Sequence, residues 1–181
     1  MDGYTLRHAM SDDFERYYGN FNPVDSELVQ LTGCKSSFTK DEVKYFFEGC
    51  ISSNDKYLFL ILQNDDIIGE TVINEIDFFN KHANFRIAIF KADCRNKGLG
   101  TWAIKQTCNF AFNCLRLHRL SLEVFSFNSR AKAVYLKCGF KQEGILREAV
   151  RYENSYHDII VMSILSHEWI DNKCTENSNT I

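Results

Sequence analysis

The chain has 181 residues, 45% of them hydrophobic, and a formal net charge of -3. A chain of that length fits one domain and buries about 70% of the surface its unfolded form exposes, so folding requires neither a disulfide nor a metal. The absence of a strongly basic block argues against a dedicated nucleic-acid binder, and apolar runs such as YLFLIL are strand-length, too short to span a bilayer.

In chain order, Tyr4 and Leu6 alternate with polar neighbours and predict a short first strand. Ser11, Asp12 and Asp13 form a helix-capping cluster, and the spacing predicts helix from 12 to about 33, broken near Asn22-Pro23. Thr39 and Glu42 stand at capping-box spacing. Behind them Val43, Phe46, Phe47, Cys50 and Ile51 recur on one face of an amphipathic helix that ends at Ser52 to Asp55. The period then changes, and residues 57–63, 67–77 and 83–90 predict three strands. A tight turn at Asn64-Asp65-Asp66 makes the first two antiparallel.

A glycine-bearing loop from Asp93 to Gly100 follows. A helix comes next, with Ile104, Cys108, Ala111, Phe112 and Leu115 on one face. Residues 119–126 predict a strand, and 129–138 a short helix stopped by Gly139. The strands near 140–152 and 156–165 are joined by Glu153-Asn154-Ser155, and a polar tail closes the chain. The order is strand, two helices, three strands, helix, strand, helix, two strands. It predicts a single α/β (α+β) domain over residues 1–170, a mixed and mostly antiparallel sheet flanked by helices, with a tail over 171–181.

The seven cysteines are odd in number and scattered, with no Cys-x-x-Cys pair, and the first ten residues lack an apolar signal core. Reduced thiols in the cytoplasm are expected. The five histidines never fall at metal-ligand spacing, so no metal is expected.

The sharpest local signal is Arg95-Asn96-Lys97-Gly98-Leu99-Gly100-Thr101, between a strand and a helix. Glycines admit a phosphate close to the backbone, and the helix start offers unpaired N–H groups and a positive dipole end. Arg95 and Lys97 add charge. Three readings compete: a turn that needs glycine for geometry alone, a dinucleotide site through Gly98-x-Gly100-x-x-Ala103, and an NTP loop. The last fails, because Gly100-Thr101 lacks the Lys-Ser/Thr step.

Arg95-x-x-Gly98-x-Gly100 resembles the acetyl-CoA loop of the GNAT superfamily of N-acetyltransferases. A second match, in the right order, runs from Asn128 through Ala131 and Tyr135 to Gly139-Phe140. A third comprises Glu143-Gly144-x-Leu146-Arg147-Glu148, Tyr156-x-Asp158 and Met162, and is similar to the branch of ribosomal-protein N-terminal and bacterial spermidine acetyltransferases. Three motifs in register displace the dinucleotide reading.

The resemblance implies a twisted mixed sheet that splays between its fourth and fifth strands. The pantetheine arm of acetyl-CoA would lie there along Ile87, Ala88, Ile89 and Phe90. The pyrophosphate would sit on the N–H groups of Lys97, Gly98, Leu99, Gly100 and Thr101, beside Arg95 and Asn96. Tyr135 would stand at the thioester sulfur as general acid, a role that suits a phenol protonated at neutral pH; the alternative is a packing ring. Asn128 would hold the cofactor arm or cap the next helix.

The acceptor amine needs a base, and the candidates are Glu75 and Glu123, each also readable as a solvated strand carboxylate. Many relatives carry an acid at the place of Asn84, whose amide cannot take that role. Asp25 and Glu27 would attract a polyamine or serve the helix dipole, and Phe21, Phe38, Tyr152 and Tyr156 would line an acceptor pocket. The implied activity is acetyl transfer from acetyl-CoA to a primary amine, a small amine or a protein N-terminus, by direct attack in a ternary complex. A module that binds acetyl-CoA without turnover is the alternative. Self-association would be in keeping with the family.

Overall fold

The computed structural model describes residues 3–169; the predicted tail over 171–181 lies outside them. Seven strands form one sheet in the order β1-β2-β3-β4-β5-β7-β6. They are β1 (Tyr4–His8), β2 (Tyr57–Gln63), β3 (Asp66–Asp77), β4 (His82–Ile89), β5 (Arg119–Phe125), β6 (Lys141–Tyr152) and β7 (Ser155–Leu165). The helices are α1 (Phe14–Tyr18), α2 (Ser26–Thr32), α3 (Lys40–Ser52), α4 (Leu99–Asn109) and α5 (Ser129–Lys137). Every neighbouring pair is antiparallel except β4 and β5.

That parallel pair positions the site. It holds register only at His82↔Arg119, Ala83↔Leu120 and Asn84↔Ser121. Beyond Asn84 the two strands part, while β5 stays paired with β7 along its whole length. The mixed sheet and the splay between 83–90 and 119–126 are as expected.

Two cores flank the sheet. On one side Leu58, Leu60, Leu62 and Val72 pack against Tyr17, Leu28, Val43 and Phe47 of α1–α3. On the other, Phe85, Leu120 and Leu122 pack against Ile104, Cys108 and Tyr135 of α4 and α5. The alternation of β5 sorts its side chains, with Leu120, Leu122 and Val124 buried and Glu123 exposed. A Thr71–Thr107 hydroxyl hydrogen bond of 2.8 Å, fully buried, ties β3 to α4.

Several local expectations need correction. The helix predicted over 12 to about 33 is a 3-10 turn at Ser11–Asp13 followed by α1 and α2, which are separated around the cis Asn22-Pro23 bond. The break is wider than proline alone demands, because Asp25 starts a new helix by accepting from Leu28 N–H. Ile51 leaves the apolar face and is 39% exposed, since α3 ends one residue later. The helix after the glycine loop finishes as a π-turn at Phe110–Cys114. Both hairpin turns are one residue tighter than expected. Asn64-Asp65 and Glu153-Asn154 take positive φ, and Asp66 and Ser155 already belong to strands. The Thr39–Glu42 capping box forms as its spacing predicts.

Candidate active site

A cavity of about 900 Å³ opens where β4 and β5 part. Its wall carries Ile87, Ala88, Ile89 and Phe90 of β4, the loop residues Arg95, Asn96, Gly98, Gly100 and Thr101, and Asn128, Tyr135, Glu75 and Glu123. Of the cofactor-binding residues singled out by sequence, Lys97 and Leu99 are not on the wall. Lys97 is exposed on the loop, and Leu99 is buried among Ile61, Ile68, Cys94 and Ala103, where it anchors the start of α4.

The loop is shaped for an anion. Gly98 takes φ +83° and Asn96 +64°, and Gly98 precedes α4 as its N-cap residue. The first helical bond runs from Trp102 N–H to Gly98 C=O, so the N–H groups of Leu99, Gly100 and Thr101 have no partner within the helix. A side chain added at Gly100 would meet nothing within 4 Å, so this wall is open. Unpaired donors, the dipole end and open space together are the features that suit an anion such as a phosphate.

Arg95 is committed elsewhere. Its side chain is only 7% exposed and pairs with Asp25 and Glu27 at 2.6 Å each. It also donates to Ile89 C=O at 2.9 Å and to Phe90 C=O at 3.2 Å. Arg95 therefore staples α2 to the end of β4, and the positive charge expected from it beside the loop is already matched. Arg130 of α5 pairs with the same Glu27 at 2.8 Å. Asp25 and Glu27, read from sequence as attractors of a cationic acceptor, are thus neutralised by arginines, which hold both carboxyls below their ordinary range, although desolvation opposes this most strongly at Asp25.

Strand geometry decides which backbone groups face the opening. The carbonyl of Ala88 lies toward Gly69 of β3, so the groups of Ile87 and Ile89 face the cleft by alternation. With Ile89 C=O held by Arg95, the N–H and C=O of Ile87 and the N–H of Ile89 remain for a ligand.

Tyr135 is 8% exposed and packs near Phe140, ring centroids 5.8 Å apart. Its hydroxyl makes no hydrogen bond among the described residues. Burial, reinforced by Cys138, raises its pKa well above the usual phenol value, so it is a held proton. Asn128 takes the capping role: its side-chain oxygen accepts from Ala131 N–H at 3.1 Å, and its amide donates to Leu31 C=O. Glu75 lies in a bulge of β3 between Asn74 and Asp77, with φ +54°, a strained value for a non-glycine residue. Glu75 and Glu123 are both exposed at the cavity and make no ion pair among the described residues.

The cavity extends under α1–α3, where Phe21 and Phe38 line it as expected. Tyr152 and Tyr156 do not. Tyr152 packs near Phe127 and His157, and Tyr156 is 63% exposed. One acid on this side escaped the sequence reading: Glu70 of β3 accepts from the Tyr17 hydroxyl at 2.5 Å. Burial raises its pKa, opposed by the Tyr17 hydrogen bond and by Arg86. The signal was present, since a carboxylate in the middle of a strand with apolar residues on both faces calls for a partner.

A family model described as an acetyltransferase (GNAT) domain matches residues 4–141. Spermidine N(1)-acetyltransferase of Vibrio cholerae is 28% identical over 132 residues, 72% of this chain and 76% of that one. The putative ribosomal N-acetyltransferase YdaF of Bacillus subtilis is 28% identical over 109 residues, 60% of this chain and 59% of its own. Among solved structures, spermidine N-acetyltransferase from Vibrio cholerae in complex with CoA and spermine superimposes with a TM-score of 0.83 at 26% identity. The match covers 93% of this chain and 98% of that one. A dodecameric structure of the Vibrio cholerae enzyme in an intermediate state matches with a TM-score of 0.78 at 25% identity, over 94% and 98% of the two chains.

Proposed function

The chain belongs to the GNAT acetyltransferase family, an enzyme that transfers the acetyl group of acetyl-CoA to an amine, and from that premise we propose that its acceptor is a small polycationic amine rather than a protein N-terminus. The observation that carries this choice is the charge of the cavity wall. Glu70, Glu75 and Glu123 are not ion-paired among the described residues, whereas Arg95 and Arg130 are, which leaves Arg86, lying over the Phe46 ring, as the one wall arginine without an ion pair against three such acids. A pocket with that balance favours a cation. The spermine held by the Vibrio cholerae relative supports the same class.

In the proposed reaction the pyrophosphate rests on the N–H groups at the start of α4, and the pantetheine arm pairs with Ile87 and Ile89. Glu75 or Glu123 takes the proton of the acceptor ammonium, directly or through water. The neutral amine attacks the thioester carbon, forming the C–N bond. The C–S bond then breaks as the leaving sulfur takes the proton of Tyr135, and the second proton lost by the attacking nitrogen, passed directly or through water, restores the Tyr135 phenol. The unengaged Tyr135 hydroxyl on the cavity wall supports that role.

The domain spans 1–170, with 171–181 an appended tail. The protein acts in the cytoplasm, a setting in keeping with the six unpaired cysteines among the described residues. It self-associates, a reading supported by the dodecameric relative and by the exposed Phe79, Ile145 and Leu146.

The test is a competition between a linear polyamine and a short peptide with a free N-terminus. The polyamine is expected to have a kcat/KM higher by at least about tenfold, the discrimination that one charge-assisted contact supplies. Preference for the peptide would overturn the assignment.

A further inference from the structure

Glu70 is a carboxylate the reaction above does not use. It stands on β3 opposite Ala88 of β4, on the face that packs against α1–α3. The cavity reaches it, together with the rings of Tyr17, Phe21 and Phe90. These rings form a continuous wall, with centroids 4.8 Å apart for Tyr17–Phe21, 5.4 Å for Phe21–Phe90 and 6.2 Å for Tyr17–Phe90. Tyr17 donates its hydroxyl to one carboxylate oxygen and so fixes the side chain. No other hydrogen bond or ion pair reaches Glu70 among the described residues. A carboxylate set in an aromatic wall, with one oxygen left over, is a receptor for an ammonium group, because ring faces and carboxylate both attract positive charge.

Its distance from the reaction centre assigns which ammonium. Tyr135 packs near Phe140, and Phe140 near Phe85 of β4, on the opposite face from Glu70. Ala88, the partner of Glu70, lies three residues beyond Phe85, about 10 Å along a strand. An amine attacking beside Tyr135 stands on the other side of β4 from Glu70, so the nitrogen that Glu70 would receive is a second one on the same molecule, a few methylenes away.

We propose that Glu70 receives the second, non-reacting ammonium of the acceptor, and so selects diamines and polyamines over monoamines, with Tyr17 as its positioning residue. This rests on the amine-acetylation reading and deepens it. The groups that face Glu70 are Tyr17 from α1, Cys50 from α3 and Arg86 from β4. Cys50 is held neutral by burial, with its pKa pushed up to about 11. Arg86 is the opposing charge, and its guanidinium lies over the Phe46 ring at 5.5 Å rather than in an ion pair with Glu70. Below its raised pKa, Glu70 is protonated and attracts the second ammonium less, so diamine affinity falls as the pH drops.

The experiment measures binding of linear diamines of increasing length to the CoA-loaded protein by calorimetry, each against the amino alcohol of equal length. It is run on the wild type, Glu70→Gln and Tyr17→Phe, with turnover measured in parallel. Glutamine keeps the shape and the oxygen that Tyr17 needs. Expected is a loss of at least about tenfold in diamine affinity in Glu70→Gln, with amino-alcohol affinity unchanged, and a smaller loss of the same preference in Tyr17→Phe. An equal loss for both ligand types, or no loss for either, would overturn the proposal. If the wild type bound diamines through Glu70 yet acetylated no amine, the acetylation reading would fall while the Glu70 assignment stood.

Discussion

Tyr135 and Glu70 both line the cavity, and they were unequally visible beforehand. Tyr135 stands between Asn128 and Gly139 in a motif whose resemblance to the family pattern singles it out. Glu70 gains its meaning from Tyr17, a residue 53 positions away that only the packing of α1 on β3 brings within 2.5 Å. Replacing Tyr135 with phenylalanine is expected to lower kcat by at least about a hundredfold while leaving acetyl-CoA affinity within about twofold, because only proton donation is removed. Steady-state kinetics and calorimetry on one preparation check this.

Asp13 makes a different statement at the same scale. It is 1% exposed, accepts from Arg7 at 2.6 and 2.7 Å and from Arg16 at 2.6 Å, and its pKa is held down at about 2, chiefly by Arg7. A depressed folded-state value stabilises above the unfolded pKa of 3.8 and loses that contribution as pH falls toward about 2. Asp13→Asn is therefore expected to lower stability at neutral pH by roughly 1–3 kcal/mol and to flatten the acid limb between those values. Urea melts across that window read both effects.

Among the elements, the strands were the most legible. The predicted bounds of β2 coincide with the structure, and those of β5 differ by one residue, because apolar alternation and flanking polar turns mark a strand at both ends. The segment from 12 to 33 was least so, since two short helices and an intervening irregular stretch carry too few turns to show a period. The π-turn closing α4 left no signal at all, as it continues the same apolar face. Arg95 follows the end of β4 in sequence, but its pairing with α2 depends on contacts across 68 residues. At Gly69 of β3 an added Cβ would sit 2.6 Å from Ala88 C=O of β4. Gly69→Ala must push β4 toward the cleft. The expected outcome is a loss of about 1–3 kcal/mol in thermal or urea melts together with weaker acetyl-CoA binding. Unchanged affinity at reduced stability would mean that the edge of β4 does not hold the cofactor.

For the whole molecule, the order of elements conveyed the fold, because a run of antiparallel strands followed by one strand–loop–helix–strand unit admits few sheets. The cavity was foreseeable only as a gap between two strands. Its reach beneath α1–α3, and the acids on its wall, follow from how both cores pack on one twisted sheet. Cys34 and Cys94 also line it, so an acetyl-cysteine route is physically open to the same cavity. Direct transfer and that route differ in one observable. The deciding measurement is mass spectrometry of protein and product after mixing with acetyl-CoA, first alone and then with a linear polyamine. Expected are unmodified protein in the first mixture and acetylated polyamine in the second. Acetylated protein that passes its acetyl group to the amine, or no acetylated amine at all, would contradict direct transfer.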